Sequence, residues 1–148
     1  MKTTEIIYEN EEIIVINKAA GVSVQGGAGI AHPLDEELSK QMGYKIYLVH
    51  RLDKETSGLM IVAKTPQAAS KWISMIGGKL VKKEYTAVCF GVPSVKGKVS
   101  IQGTLTDSVK KAGRELSAVT NFKVEKQGKT MSVLHLTLGT GRMHQIRI

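Results

Sequence analysis

One cysteine in 148 residues, Cys89, rules out an intrachain disulfide and leaves no set of thiolates to hold zinc. Prolines number only three and aromatic side chains make up 5% of the chain. No apolar run approaches the roughly 18 residues that a membrane-spanning helix needs. The start, Met1-Lys2-Thr3-Thr4-Glu5, carries no apolar stretch of the kind a secretion signal requires, so a cytoplasmic location is expected. Internal repeats, low-complexity tracts and linkers are also missing, and one domain over 1–148 is expected. The glycines from Gly21 to Gly29 match neither nucleotide-binding fingerprint and read as a flexible loop bordering a site. His50, His135 and His144 lack metal-ligand spacing, His135 sits within an alternating strand pattern and His32 beside Pro33 reads as a helix start, so no metal is expected.

Basic charge is what the chain has in excess, with 21 Lys and Arg against 13 Asp and Glu, a net +8. It is unevenly spread. Residues 1–50 hold four basic and seven acidic side chains, net −3, whereas 51–148 hold seventeen and six, net +11. Such asymmetry points to an anionic partner, nucleic acid above all.

Periodicity and turn chemistry predict strands over 5–8, 12–17, 46–49 and 58–64. A helix is expected from about 32 to 42, with Pro33 at its first position, acids in its first turn and Leu34 and Leu38 four apart. A second runs from Pro66, capped by Thr65, to about 76, where Gly77-Gly78 stops it. Strands follow over 83–90, 98–105, 117–124 and 131–138, the last two joined across 126–129. The fold class is α+β, a mixed, mainly antiparallel sheet with a few short helices. Cys89, in the apolar run 86–90, reads as a buried structural thiol.

The chemistry concentrates in His50-Arg51-Leu52-Asp53-Lys54-Glu55-Thr56-Ser57-Gly58. A lone carboxylate between Arg51 and Lys54 keeps its charge easily, because neighbouring cations favour the ionised form. That suits a nucleophile or a base; a surface aspartate in a turn fits the same residues. Tyr85 follows Lys82-Lys83-Glu84, and aromatic rings among cations stack bases while phosphates are neutralised. A strand tyrosine with a half-buried ring is the plainer alternative. The segment Thr140-Gly141-Arg142-Met143-His144-Gln145-Ile146-Arg147 packs two arginines, a histidine and a glutamine into eight residues, a density that packing alone does not explain.

In order and spacing these three segments resemble the motifs of the RluA family of RNA pseudouridine synthases. Ile6-Ile7-Tyr8-Glu9-Asn10, Val15-Ile16-Asn17-Lys18 and Gly21 resemble the family's opening strands, and Ala118 and Thr120 fit between its second and third motifs. The resemblance implies the pseudouridine synthase catalytic fold and an isomerase that needs no cofactor, acting as a monomer on ribosomal or transfer RNA. It implies that Asp53 is the catalytic aspartate, acting as nucleophile or base. It implies that Arg51 fills the space left by a flipped-out uridine, that Tyr85 packs on the target base and assists proton removal at C5, and that Arg147 pairs with Asp53. His50, Thr56, Arg142, His144 and Gln145 are the further substrate contacts expected. Lys79, Lys82 and Lys83, with Lys110 and Lys111, are expected on the RNA backbone. The family's Lys-Pro-x-Gly stands here as Lys18-Ala19-Ala20-Gly21, implying one loosened turn. The family pattern continues beyond the third motif, so a catalytic domain incomplete at its C-terminus is expected, with no separate N-terminal RNA-binding domain. A non-catalytic RNA-binding module derived from such an enzyme, or an inactive fragment of one, stands as the alternative.

Overall fold

The computed structural model describes residues 3–95, 98–111, 114–142 and 145–146, with backbone only for 95, 109–111, 114 and 115. The chain divides into two compact units, 1–80 and 81–148.

The first unit holds β1 (Glu5–Glu9), β2 (Ile13–Lys18), α1 (Leu34–Met42), β3 (Tyr47–Leu48), β4 (Gly58–Ala63) and α2 (Pro66–Gly77). Its antiparallel sheet has the order β1-β2-β4-β3. The β-branched run Ile13-Ile14-Val15-Ile16 drives it. Ile14 faces Val62 and Ile16 faces Met60 across the β2–β4 ladder, and all four are fully buried, each contributing roughly 2 kcal/mol by leaving water. On the opposite face, Val49 and Ala63 pack with Ala68 and Ala69 of α2, covered by Trp72 and Ile76. The exposed β1 lies at the sheet edge and carries a bulge between Ile6 and Tyr8, a device that disfavours pairing with another chain.

Both helix starts have identifiable causes. At α2 the Thr65 hydroxyl accepts from the Ala68 N–H at 3.2 Å, with Pro66 at the first helical position as expected. Replacing Thr65 by Ala is expected to cost about 1 kcal/mol. Urea unfolding of the Thr65→Ala chain would show this, and an unshifted midpoint would contradict it. At α1 the expectation needs correcting: Pro33, with ψ of 147°, is the N-cap rather than the first helical residue. The N–H groups of Leu34 and Asp35 are taken instead by the carbonyls of Ser23 and Val24, at 2.9 and 3.1 Å. The glycine-rich segment is therefore the cap of α1.

The second unit holds β5 (Glu84–Phe90), the short pair β6 (Ser94–Val95) and β7 (Lys98–Val99), then β8 (Gln102–Lys111), β9 (Arg114–Gln127) and β10 (Met131–Leu138). Its main sheet is antiparallel in the order β5-β10-β9-β8. Phe122, Leu134 and Leu136 form its core, with Tyr85, Ala87, Cys89, Val124 and Ile146 packed against them. Cys89 is thus a half-buried packing residue.

One further expectation is corrected. The strand expected over 98–105 is broken at Ser100, whose N–H turns back to Pro93 O at 3.0 Å, so that Lys98–Val99 pairs with Ser94–Val95 and a separate strand starts at Gln102. Beyond β10 the described residues 139–142 and 145–146 bend and turn, with the Gln145 N–H on Arg142 O at 3.3 Å.

The surface carries ion pairs of Lys64 with Glu9 at 2.6 Å, Lys71 with Glu12 at 2.8 Å, Lys40 with Glu37 within α1 at 3.2 Å, and Lys82 with Glu84 at 2.7 Å. The lysine hydrogen bond in each pair is the main reason that these four carboxyls titrate below the ordinary 4.5. A carboxylate whose folded pKa is depressed adds stability above its unfolded value and loses it as pH falls through the folded one. The melting temperature should therefore decline as pH drops below about 4.5, and a calorimetric series flat down to about pH 3 would contradict this.

Candidate active site

The Asp53 segment leaves the sheet after β3 and returns as β4. Leu52 is buried at 7% exposure and anchors it, Arg51 is exposed and Asp53 is half-buried. The Thr56 N–H closes a turn on Asp53 O at 3.0 Å. Gly58 then opens β4 at φ of +124°, a conformation in which a side chain would be strained.

Both ends of this turn are tied to the surrounding structure. On the entry side His50 Nε2 accepts from the Ile61 N–H of β4 at 3.0 Å. On the exit side the carbonyl of Lys54 accepts from Gly21 N–H at 2.8 Å and from Lys18 Nζ at 3.0 Å. Lys18 itself is 1% exposed, and its ammonium also donates to the carbonyls of Ala19 and Val22, both at 2.9 Å. Burial holds its pKa below the ordinary lysine value, while the charges of Glu55 and Asp53 oppose that shift. Lys18 is the residue that sequence reasoning passed over. A lysine closing a strand of buried isoleucines was the available signal, because a buried ammonium must find acceptors. A cavity of about 910 Å3 walled by Asn17, Lys18, His32 and Ser57 lies in the same unit and does not include Asp53.

In the second unit Tyr85 lies in register with Leu136, and Leu136 with Phe122, a row across three strands on the core face. Ile146 packs on the same cluster, so the second and third motifs meet here. Lys83 belongs to that meeting: a Cβ on Gly141 would come within 2.7 Å of Lys83 Nζ, so only glycine fits there without displacing the lysine. On the other face Glu84 bridges Lys82 and His135, whose Nε2 lies 3.0 Å from the carboxylate.

Gln145 organises the third motif. Its Nε2 donates to Val119 O at 2.9 Å and Thr120 Oγ1 at 3.0 Å, and its Oε1 accepts from Thr140 Oγ1 at 2.8 Å and Arg142 N–H at 2.9 Å. That fills the hydrogen-bonding capacity of an amide, so Gln145, expected as a substrate contact, is engaged by the protein. Arg142 is exposed and donates from Nε to Ser117 O at 3.1 Å. Lys79 stands at the end of α2 with φ of +62°. His144 and Arg147 lie outside the described residues, as do the side chains of Lys110 and Lys111. Thus Asp53, Arg51, His50 and Thr56 share one turn of the first unit, whereas Tyr85, Lys82, Lys83, Arg142 and Gln145 belong to the second. Among the described residues no three His, Cys, Asp or Glu side chains are placed to hold a metal ion, and no helix is long and apolar enough to cross a membrane.

The model of the RNA pseudouridylate synthase family matches residues 12–148, and the chain belongs to that family. It is 38% identical to ribosomal large subunit pseudouridine synthase D of Neisseria meningitidis serogroup B, over 97% of this chain and 41% of that protein. It is 35% identical to ribosomal large subunit pseudouridine synthase C of Rickettsia prowazekii, over 99% of this chain and 52% of that protein. The chain thus spans about half the length of these relatives. Among solved structures, human RNA pseudouridylate synthase domain containing 4 superposes with a TM-score of 0.77 at 24% identity, over 97% of this chain and 62% of that one. This likeness shows that the α+β arrangement is the pseudouridine synthase fold.

Proposed function

We propose that this protein isomerises uridine to pseudouridine in structured RNA, ribosomal or transfer, with Asp53 as the catalytic aspartate and both units serving one catalytic domain. The family match carries the reading, because it runs through the Asp53 turn, Tyr85 and the third motif. In the reaction the C1′–N1 bond breaks, the base turns, a C1′–C5 bond forms, H5 leaves to solvent and N1 takes a proton. Substrate and product have the same composition, so the balance calls for no oxidant and no cosubstrate. Asp53 acts at the glycosidic bond as nucleophile or base, and Arg147 orients it. Extruding the uridine costs a few kcal/mol, offset by Arg51 in the vacated space and Tyr85 on the base. Arg142 and His144 contact the substrate, and Lys82 and Lys83 attract its phosphates. Such an enzyme works in the cytoplasm, as a monomer.

Charge distribution supports a second reading. Residues 81–148 hold twelve basic and four acidic side chains, net +8, while 1–80 hold nine of each, so the whole net charge falls in the second unit. That favours RNA binding with or without turnover. Transcripts of large-subunit ribosomal RNA and of transfer RNA carrying tritium at uridine C5 separate the readings. Catalysis releases tritium to water from one of them; salt-sensitive binding without release would establish the binding module and overturn the enzyme.

A further inference from the structure

The β3–β4 ladder runs Tyr47↔Ala63 and Leu48↔Val62. One more step of the same register would set Val49 opposite Ile61, with the Ile61 N–H directed to a backbone carbonyl of the departing strand. That N–H is instead bonded to the imidazole Nε2 of His50 at 3.0 Å. Val49 stays buried, but the strand ends at Leu48 and the chain bends away from the sheet at Val49. The ring thus stands in for the next acceptor of the ladder. It satisfies a donor of β4 that would otherwise be orphaned, and it releases the backbone of 50–53 from the sheet. Because the ring is fixed to β4 and Leu52 to the core, the path between them is set at both ends, and Asp53 follows directly.

We propose that His50 is a positioning residue for Asp53, acting through its acceptor nitrogen on Ile61 rather than through contact with RNA; this rests on the proposed uridine isomerisation. Accepting at Nε2 requires that nitrogen to be bare, so the neutral ring carries its proton on Nδ1. Leucine keeps the bulk without an acceptor. Glutamine brings an amide oxygen to about the reach of Nε2, and asparagine falls one methylene short.

Turnover of uridine-containing RNA by wild type, His50→Leu, His50→Gln and His50→Asn tests the assignment. A displacement of Asp53 by about 1 Å should lower kcat of the leucine variant by about 100-fold, with KM within about twofold because RNA binding is untouched. Glutamine should recover kcat to within about fivefold of wild type. A rise in KM at unchanged kcat would overturn the assignment in favour of an RNA contact, and so would a glutamine variant as slow as the leucine one. Should the leucine variant not fold, glutamine against asparagine decides: equal rates overturn the proposal and a faster glutamine variant supports it. Wild-type protein without any turnover would refute the isomerase reading instead. The ring is then read by nitrogen NMR, where a proton on Nδ1 and a coupling between Nε2 and the Ile61 amide are expected. A proton on Nε2 would overturn the proposal.

Discussion

Replacing Asp53 by Asn should abolish pseudouridine formation while leaving RNA binding in place. The substitution keeps the size of the side chain and removes its charge, so it cannot attack C1′ or accept a proton in glycosidic cleavage. Loss of a catalytic base alone costs about 10²- to 10⁴-fold in rate, equivalent to roughly 3–5.5 kcal/mol of transition-state stabilisation. The turn should keep the bonds made by its backbone groups, by His50 and by Lys18: Thr56 N–H to Asp53 O, Ile61 N–H to His50 Nε2, and Lys18 and Gly21 to Lys54 O. RNA affinity should change by no more than about twofold, since phosphate attraction resides in the lysines. Single-turnover rates and filter binding measured on one preparation check both halves. An Asp53→Asn protein that turns over at the wild-type rate would remove Asp53 from the mechanism.

Lys18→Met carries the second large effect. Methionine fills nearly the same volume in a site with 1% exposure, but it cannot supply the three hydrogen bonds to Ala19, Val22 and Lys54. Lys54 O keeps Gly21 as a partner, whereas the other two carbonyls lose the ammonium. Removing a desolvated charge returns part of the loss, so the net destabilisation should be about 3 kcal/mol, or a melting temperature lower by roughly 10 °C. Activity should fall as well, because the exit of the Asp53 turn is no longer held. Calorimetry of the variant shows the first effect. A melting temperature equal to wild type would mean that Lys18 is a passive occupant of the core.

What was legible in the chain was what local chemistry decides. The Thr65 cap and Pro66 act within four residues, and the structure has them as the pattern implied. The strands around the Asp53 turn were visible because the runs 13–16 and 59–63 are apolar and bounded by turn residues. Effects with distant partners were not. Pro33 is an N-cap because carbonyls some ten residues earlier take the first helical N–H groups. Lys18 reads as one more surface lysine until Lys54, 36 residues on, becomes its partner. β8 was underestimated because 104–108 are exposed on both faces, which removes the alternation that marks a half-buried strand. The third motif turned onto β9 because Gln145 finds its acceptors in Val119 and Thr120, which no periodicity in 140–147 reveals.

Direct nucleoside analysis puts the isomerase reading to its sharpest test. Large-subunit ribosomal RNA transcript is incubated with the purified protein, digested to nucleosides and separated by chromatography. Pseudouridine should appear in an amount matching the uridine lost, close to a whole number of residues per molecule, and should be absent with the Asp53→Asn protein. RNA that is bound by the protein yet returns an unchanged nucleoside profile, or equal pseudouridine from both proteins, would contradict an isomerase built on Asp53.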